Sequence, residues 1–148
     1  MGLFQSFDIA ASGMAAQRFR MDTIAQNIAN VNTTRTETGE PYRRHIVTFE
    51  ARSLNPVFSE TLGDYLDNFQ GNGVKVDRVY EDTETDFTMV YDPSHPDADE
   101  NGYVRYPNVN TVTEMTNLID SSRSYQANVT AFGALKQMAS SGISIGNS

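Results

Sequence analysis

LFQSFDIAASGMAAQRFRMDTIAQNIANVNT, residues Leu3–Thr33, is the stretch that decides the fold. Within it, Leu3, Phe7, Ala10, Met14, Gln17, Met21, Ile24, Ile28 and Val31 recur in alternating steps of four and three. Only Gln17 breaks the apolar run. A seam repeating every 3.5 residues lets one helix lie along another for its whole length, so the spacing predicts a helix from Leu3 to about Asn30. Asn30-Val-Asn-Thr-Thr34 ends it, because these side chains compete for the backbone hydrogen bonds that a helix needs. Gly13 inside the helix costs about 1 kcal/mol against alanine, which predicts a close approach by another backbone at that point.

The other end of the chain mirrors this one. Met115, Leu118, Ser122, Tyr125, Val129, Phe132, Lys136, Ala139 and Ile143 again step by three and four. Thr111 and Glu114 have the T-x-x-E spacing of a capping box, which predicts the helix start. The final segment, Ser140–Ser148, is poor in helix formers and predicts less securely packed last turns. Ile9, Ala16, Ile119 and Leu135 widen both stripes beyond a two-helix seam, so further neighbours are expected to cover them.

Between the ends lie short alternating runs. Residues 43–50, 73–80, 87–91 and 103–106 read as strands, with Asn101-Gly102 as a turn signal before the last. Residues 53–72, carrying Pro56, Gly63 and Gly71, read as a long loop. The expected organisation is therefore an N-terminal helix within 1–34, a β-rich middle over 35–107 and a C-terminal helix within 108–148. The fold class is α+β, with the long terminal helices paired as a coiled-coil-like layer and a small, interrupted β unit of three or four strands in the middle.

Composition excludes several classes of function. The 148 residues include no cysteine, so disulfides and thiolate metal sites are absent. No apolar run is long enough to span a membrane, and the N-terminus lacks the basic segment of a cleavable secretory signal. The net charge of −8 is concentrated in residues 81–100, which hold eight acids and no lysine or arginine. Nucleic-acid binding needs the opposite sign.

Candidate chemistry is sparse. Asp97-Ala-Asp99-Glu-Asn101-Gly102-Tyr-Val104 resembles the first part of a calcium-binding EF-hand loop. The closing bidentate glutamate is replaced by Asn108, and Pro93 and Pro96 occupy the place of the entering helix. A solvated acidic turn is the expectation; a small calcium-binding or adaptor module using the 92–102 loop is the alternative. The two histidines, His45 and His95, have no partners at ligand spacing, and no nucleophile elbow or phosphate loop occurs. Neither an enzyme nor a cofactor is expected.

Ala11-Ser-Gly-Met14, Ala16-Gln17, Arg20-Met-Asp22 and Asn27-Ile-Ala-Asn30-Val-Asn-Thr33 resemble the N-terminal signature of bacterial flagellar rod, hook and hook-associated proteins. Ser122-Arg-Ser-Tyr125-Gln-Ala-Asn128 resembles their C-terminal signature. Pro41-Tyr-Arg-Arg44, Gly73-Val-Lys-Val76 and the run from Tyr91 to Asn110 are similar to the proximal-rod members of that group. The resemblance implies a structural protein of the periplasmic flagellar basal body, exported by the flagellar type III apparatus without a cleaved signal. It implies helical polymerisation with further copies and other rod proteins, the terminal helices lining the inner tube. It implies no small-molecule substrate. Together with the seams it marks Leu3, Phe7, Met14, Gln17, Met21, Ile24, Ile28, Met115, Leu118, Tyr125, Val129 and Phe132 as expected subunit-interface positions. Gln17 is expected to mark the register.

Overall fold

A computed structural model of the chain describes residues 3–52 and 72–146. The long loop expected at 53–72 therefore lies outside the described residues, apart from Asn72, and so does the side chain of Leu3. The element order is α1 (Leu3–Ala29), β1 (His45–Ala51), β2 (Val74–Glu81), β3 (Thr88–Tyr91), β4 (Tyr103–Tyr106) and α2 (Thr111–Gly146). The fold is α+β, with two long helices flanking a middle region of short antiparallel strands. The β-rich middle is interrupted: β1 pairs with β2, and β3 with β4, in two separate two-stranded sheets.

The helix ends follow from local chemistry. After α1, the Asn30 side chain donates to the Gln26 carbonyl at 2.9 Å and the Thr33 amide donates to the Asn30 carbonyl at 3.0 Å, so the chain turns out of the helix. At the start of α2 the expected capping box is not what forms. Asn110 is the cap: its Oδ1 accepts the amides of Val112 and Thr113 at 3.0 and 3.1 Å, satisfying two orphan donors. Glu114 lies one position too far along to close the box and turns inward instead.

The chain forms two compact units. The first comprises residues 1–19, 48–77 and 121–148. In its described part the two helices run antiparallel: Phe7 meets Phe132 edge to face, with centroids 4.9 Å apart, and Gly13 faces Asn128. A Cβ on Gly13 would come to 2.8 Å from Asn128 Oδ1, so the close neighbour is a side chain and not the expected backbone. Ser12 ties α1 to β2: its Oγ donates to the Ile9 carbonyl and accepts the Val74 amide at 3.1 Å. Ala10 and Ala16 are buried.

The second unit comprises residues 20–47 and 78–120. Its apolar core is thin, built on Ile24, Val104 and Val109, with Pro107 beside them. In the β3–β4 hairpin Val90 lies opposite Val104, and Tyr91 opposite Tyr103. Phe87 takes the Arg43 guanidinium over its ring at 4.3 Å. So little buried apolar surface yields few kcal/mol at ~25 cal/mol per Å². Polar contacts carry much of the specification here.

In α2 the inward line is Glu114, Leu118, Ser121, Tyr125, Asn128, Phe132, Leu135 and Ala139. The expected line shares Leu118, Tyr125, Phe132 and Ala139 with it, and its Ser122 is half-buried beside Ser121, but Met115, Val129, Lys136 and Ile143 face out. Met115 and Val129 are 55% and 44% exposed. The expected phase departs by one residue at Glu114, Asn128 and Leu135, and at the first two of these a polar side chain takes the inward place. The last turns, residues 140–146, stay helical and are wholly exposed.

Candidate assembly surface and the polar lock beneath it

Asn27 is 1% exposed, yet every hydrogen-bonding position of its amide is used. Nδ2 donates to the His45 carbonyl at 2.9 Å and to Glu114 Oε2 at 3.0 Å. Oδ1 accepts the His45 amide and the Tyr42 hydroxyl, each at 2.9 Å. The side chain thus meets one residue of β1 as a neighbouring strand would, and the backbone partners fix which way the amide points. Tyr42 spends its proton on Asn27, so the 2.6 Å contact with His45 Nδ1 is donated by the imidazole. Burial, then the nearby Glu114 and Glu81 carboxylates, push the Tyr42 phenol above its usual range and keep that proton in place.

Glu114, also 1% exposed, is the acidic centre of the lock. Arg44 donates to its Oε1 from Nε at 2.9 Å and from Nη2 at 2.7 Å. Arg44 also reaches Asp82 Oδ2 at 4.0 Å, and its backbone carbonyl accepts the Asp82 amide at 2.8 Å. Asn108 closes the far side: it accepts the Arg44 amide and donates to the carbonyls of Asp82 and Thr85. An ion pair this enclosed does not by itself add much stability, since desolvation offsets attraction. Its effect is to admit one arrangement of α1, α2 and β1 in this unit.

Asp82 gives the lock a pH dependence. The Thr85 amide, opposed by burial and reinforced by the Thr85 hydroxyl, the Glu84 amide and Arg44, holds its carboxyl below the usual carboxylate range. A depressed carboxyl contributes stability that is fully present above its unfolded value, about 3.9. The contribution is lost as pH falls from there through the lower folded value. Urea midpoints measured from pH 6 down to pH 2.5 should therefore fall more steeply for the natural chain than for Asp82→Asn, which has no proton to take up.

The expected interface positions divide between two surroundings. Ile24 is buried; Phe7, Met14, Gln17, Met21, Ile28, Leu118, Tyr125 and Phe132 are half-buried in the chain's own packing; Met115 and Val129 are exposed. Gln17 Oε1 is buried and has no hydrogen-bond partner among the described residues. Val112, Met115 and Ile119, at 74, 55 and 53% exposed, form an apolar face on the first turns of α2. The lock itself was missed as a site by sequence reasoning. Its one signal was polarity at positions 27 and 114, where a helix core should be apolar.

The acidic loop is closed on itself. Asp92 Oδ1 accepts from the amide and hydroxyl of Ser94, and Asp99 Oδ1 accepts the amides of Asn101 and Tyr103. Asp97 takes the Thr34 hydroxyl at 2.8 Å. Gly102 bends the chain at φ +80°, as the Asn-Gly signal predicted. Among the described residues no three carboxyl or imidazole groups converge on a point.

Comparison with known proteins places these features in a family. A profile described as flagella basal body rod protein matches residues 7–35, and one described as flagellar basal body rod FlgEFG protein C-terminal matches residues 100–145. The chain is 45% identical over 150 residues to the flagellar basal-body rod protein FlgC of Borreliella burgdorferi, covering 98% of each chain. It is 44% identical over 152 residues to FlgC of Bacillus subtilis strain 168, covering 99% of each. The chain belongs to the FlgC family of flagellar basal-body rod proteins. FlgC of Salmonella typhimurium, at 39% identity over 93% of each chain, extends the likeness further. In this FlgC-family chain the two profile matches cover Asn27 and Glu114, the helix-borne members of the lock.

Proposed function

We propose that the chain is a structural, non-enzymatic subunit of the proximal flagellar rod that polymerises helically with its own copies and with other rod proteins. Its terminal helices form the inner layer around the export channel and transmit torque along it. The subunit reaches the periplasmic part of the basal body through the flagellar type III apparatus without a cleaved signal. One observation carries the reading beyond family membership: Val112, Met115 and Ile119 stand out at helical spacing on α2 while the apolar core among the described residues stays thin. A contiguous exposed apolar face of this kind marks a surface that meets a partner. No helix among the described residues is long and apolar enough to cross a membrane.

The interface then comprises two layers. Phe7, Met14, Gln17, Met21, Ile24, Ile28, Leu118, Tyr125 and Phe132 shape each subunit's helix pair, whereas Met115 and Val129 meet neighbours directly. Leu3 extends the set at the N-terminus. Heterologous contacts that do not close generate a filament. In the source organism, deletion of the gene should leave basal bodies without a rod, as seen by cryo-electron tomography. A copy carrying Met115→Glu and Ile119→Glu should be exported and folded yet fail to restore the rod. Intact rods in the deletion strain would refute the reading.

A further inference from the structure

The β3–β4 hairpin turns its largest side chains away from the core. Val104, on the inner face, is fully buried. On the opposite face the register sets Met89 beside Arg105 and Tyr91 beside Tyr103. Met89 and Tyr91 are 51% and 64% exposed, and the two tyrosine rings stack edge to face at 5.3 Å. Tyrosine, methionine and arginine are the residues enriched where proteins meet.

This platform continues into a cleft of about 400 Å³ in the same unit, to which Tyr103 and Arg105 both belong. Glu40, Asp97 and Asp99 border the cleft, along with Arg35, which lies 3.7 Å from Asp97. The surrounding unit carries thirteen acidic and six basic residues. Aromatic faces beside carboxylates attract a guanidinium or ammonium twice over, through the ring quadrupole and through charge.

We infer that the outer face of the β3–β4 hairpin, with the adjoining cleft, docks an extended arginine- or lysine-bearing segment of a neighbouring protein. The cation enters the cleft toward Glu40, Asp97 and Asp99, and the stem of the segment lies across Tyr91 and Tyr103. The neighbour's being a protein rests on the rod-subunit reading; the platform does not use the helical faces invoked there.

The test is a titration of the purified full-length chain with a ten-residue peptide of alternating arginine and serine, followed by amide NMR shifts. A glutamine–serine peptide and anionic phosphatidylglycerol vesicles serve as competing probes. Shifts should concentrate in residues 35–41, 89–91 and 97–105. Tyr91→Ser leaves the net charge unchanged and should weaken binding about tenfold, and Glu40→Gln should weaken it as well. Met89→Ser takes the place of Tyr91→Ser if that variant loses the hairpin's amide pattern. Unchanged affinity in the charge-neutral variant, shifts confined to the acidic residues 81–86, equal binding of the glutamine peptide, or preference for vesicles would each overturn the proposal. Rod imaging fails or succeeds independently: peptide docking on this face in a chain whose deletion spares the rod sinks the rod reading and leaves the platform.

Discussion

Glu114→Ala should destabilise the second unit by about 3 kcal/mol. Removing one member of a buried ion pair costs roughly 3–5 kcal/mol, because the remaining charge keeps its burial and loses its partner. The Arg44 side chain is 26% exposed, which places the effect at the lower end. The substitution also takes one of two acceptors from Asn27 Nδ2 and leaves a cavity where a fully enclosed side chain stood. Hydrogen exchange at the His45 amide reads this unit specifically, since that amide is donated to Asn27. Exchange there should accelerate on the order of a hundredfold, about 1.4 kcal/mol being a factor of ten. Glu114→Gln keeps one carbonyl acceptor but sets an amide N–H₂ against a donor, and should fall between. A change below about 0.5 kcal/mol for alanine would mean that water already screens the pair.

Gly73→Ala should cost the first unit nearly as much, for a reason that lies in the backbone. Gly73 has φ +94°, where a side chain is strained by about 1–3 kcal/mol. An added Cβ would also fall on the Ser12 side chain, with the Ile9 Cα only 3.5 Å away behind it. Ser12 cannot simply swing aside, because its hydroxyl is engaged with both Ile9 and Val74. Together these effects predict a loss of about 3 kcal/mol, measurable as a lowered urea midpoint. Gly39 separates the two causes: its φ is +83°, and a Cβ there meets nothing within 4 Å among the described residues. Gly39→Ala should therefore cost only the backbone share, about 1–2 kcal/mol. Equal losses at the two glycines would assign the whole effect to φ.

How far the fold can be read from residues alone depends on which forces set each element. The alternation of His45, Val47 and Phe49, and the Asn101-Gly102 bend, are local, so the strands lie within a residue or two of their expected bounds. The division into two sheets is not local, since it depends on pairing across distant segments. The seam of α1 was legible because Ala10 and Ile24 are both apolar and buried. The seam of α2 was misphased because Glu114 and Ser121 lie inside while Met115 faces out. An apolar count cannot choose a line whose members are solvated by partners instead of by water. Those partners, Arg44 and Asn27, are seventy and eighty-seven residues away from Glu114. The same distant partners draw Glu114 inward and away from the box expected with Thr111, and the cap passes to Asn110.

The four bonds around Asn27 have a consequence under load. All of them depend on one amide standing opposite His45, Tyr42 and Glu114 at once. If α1 slid along β1 in this unit, they could not be exchanged one by one for equivalent bonds, because one turn back along the helix, 5.4 Å away, stands Thr23, which has no side-chain amide, and in the other direction the helix ends at Ala29. Creep by small steps is thereby closed off. Up to its yield point this part of the subunit answers shear elastically, and past that point it gives way all at once.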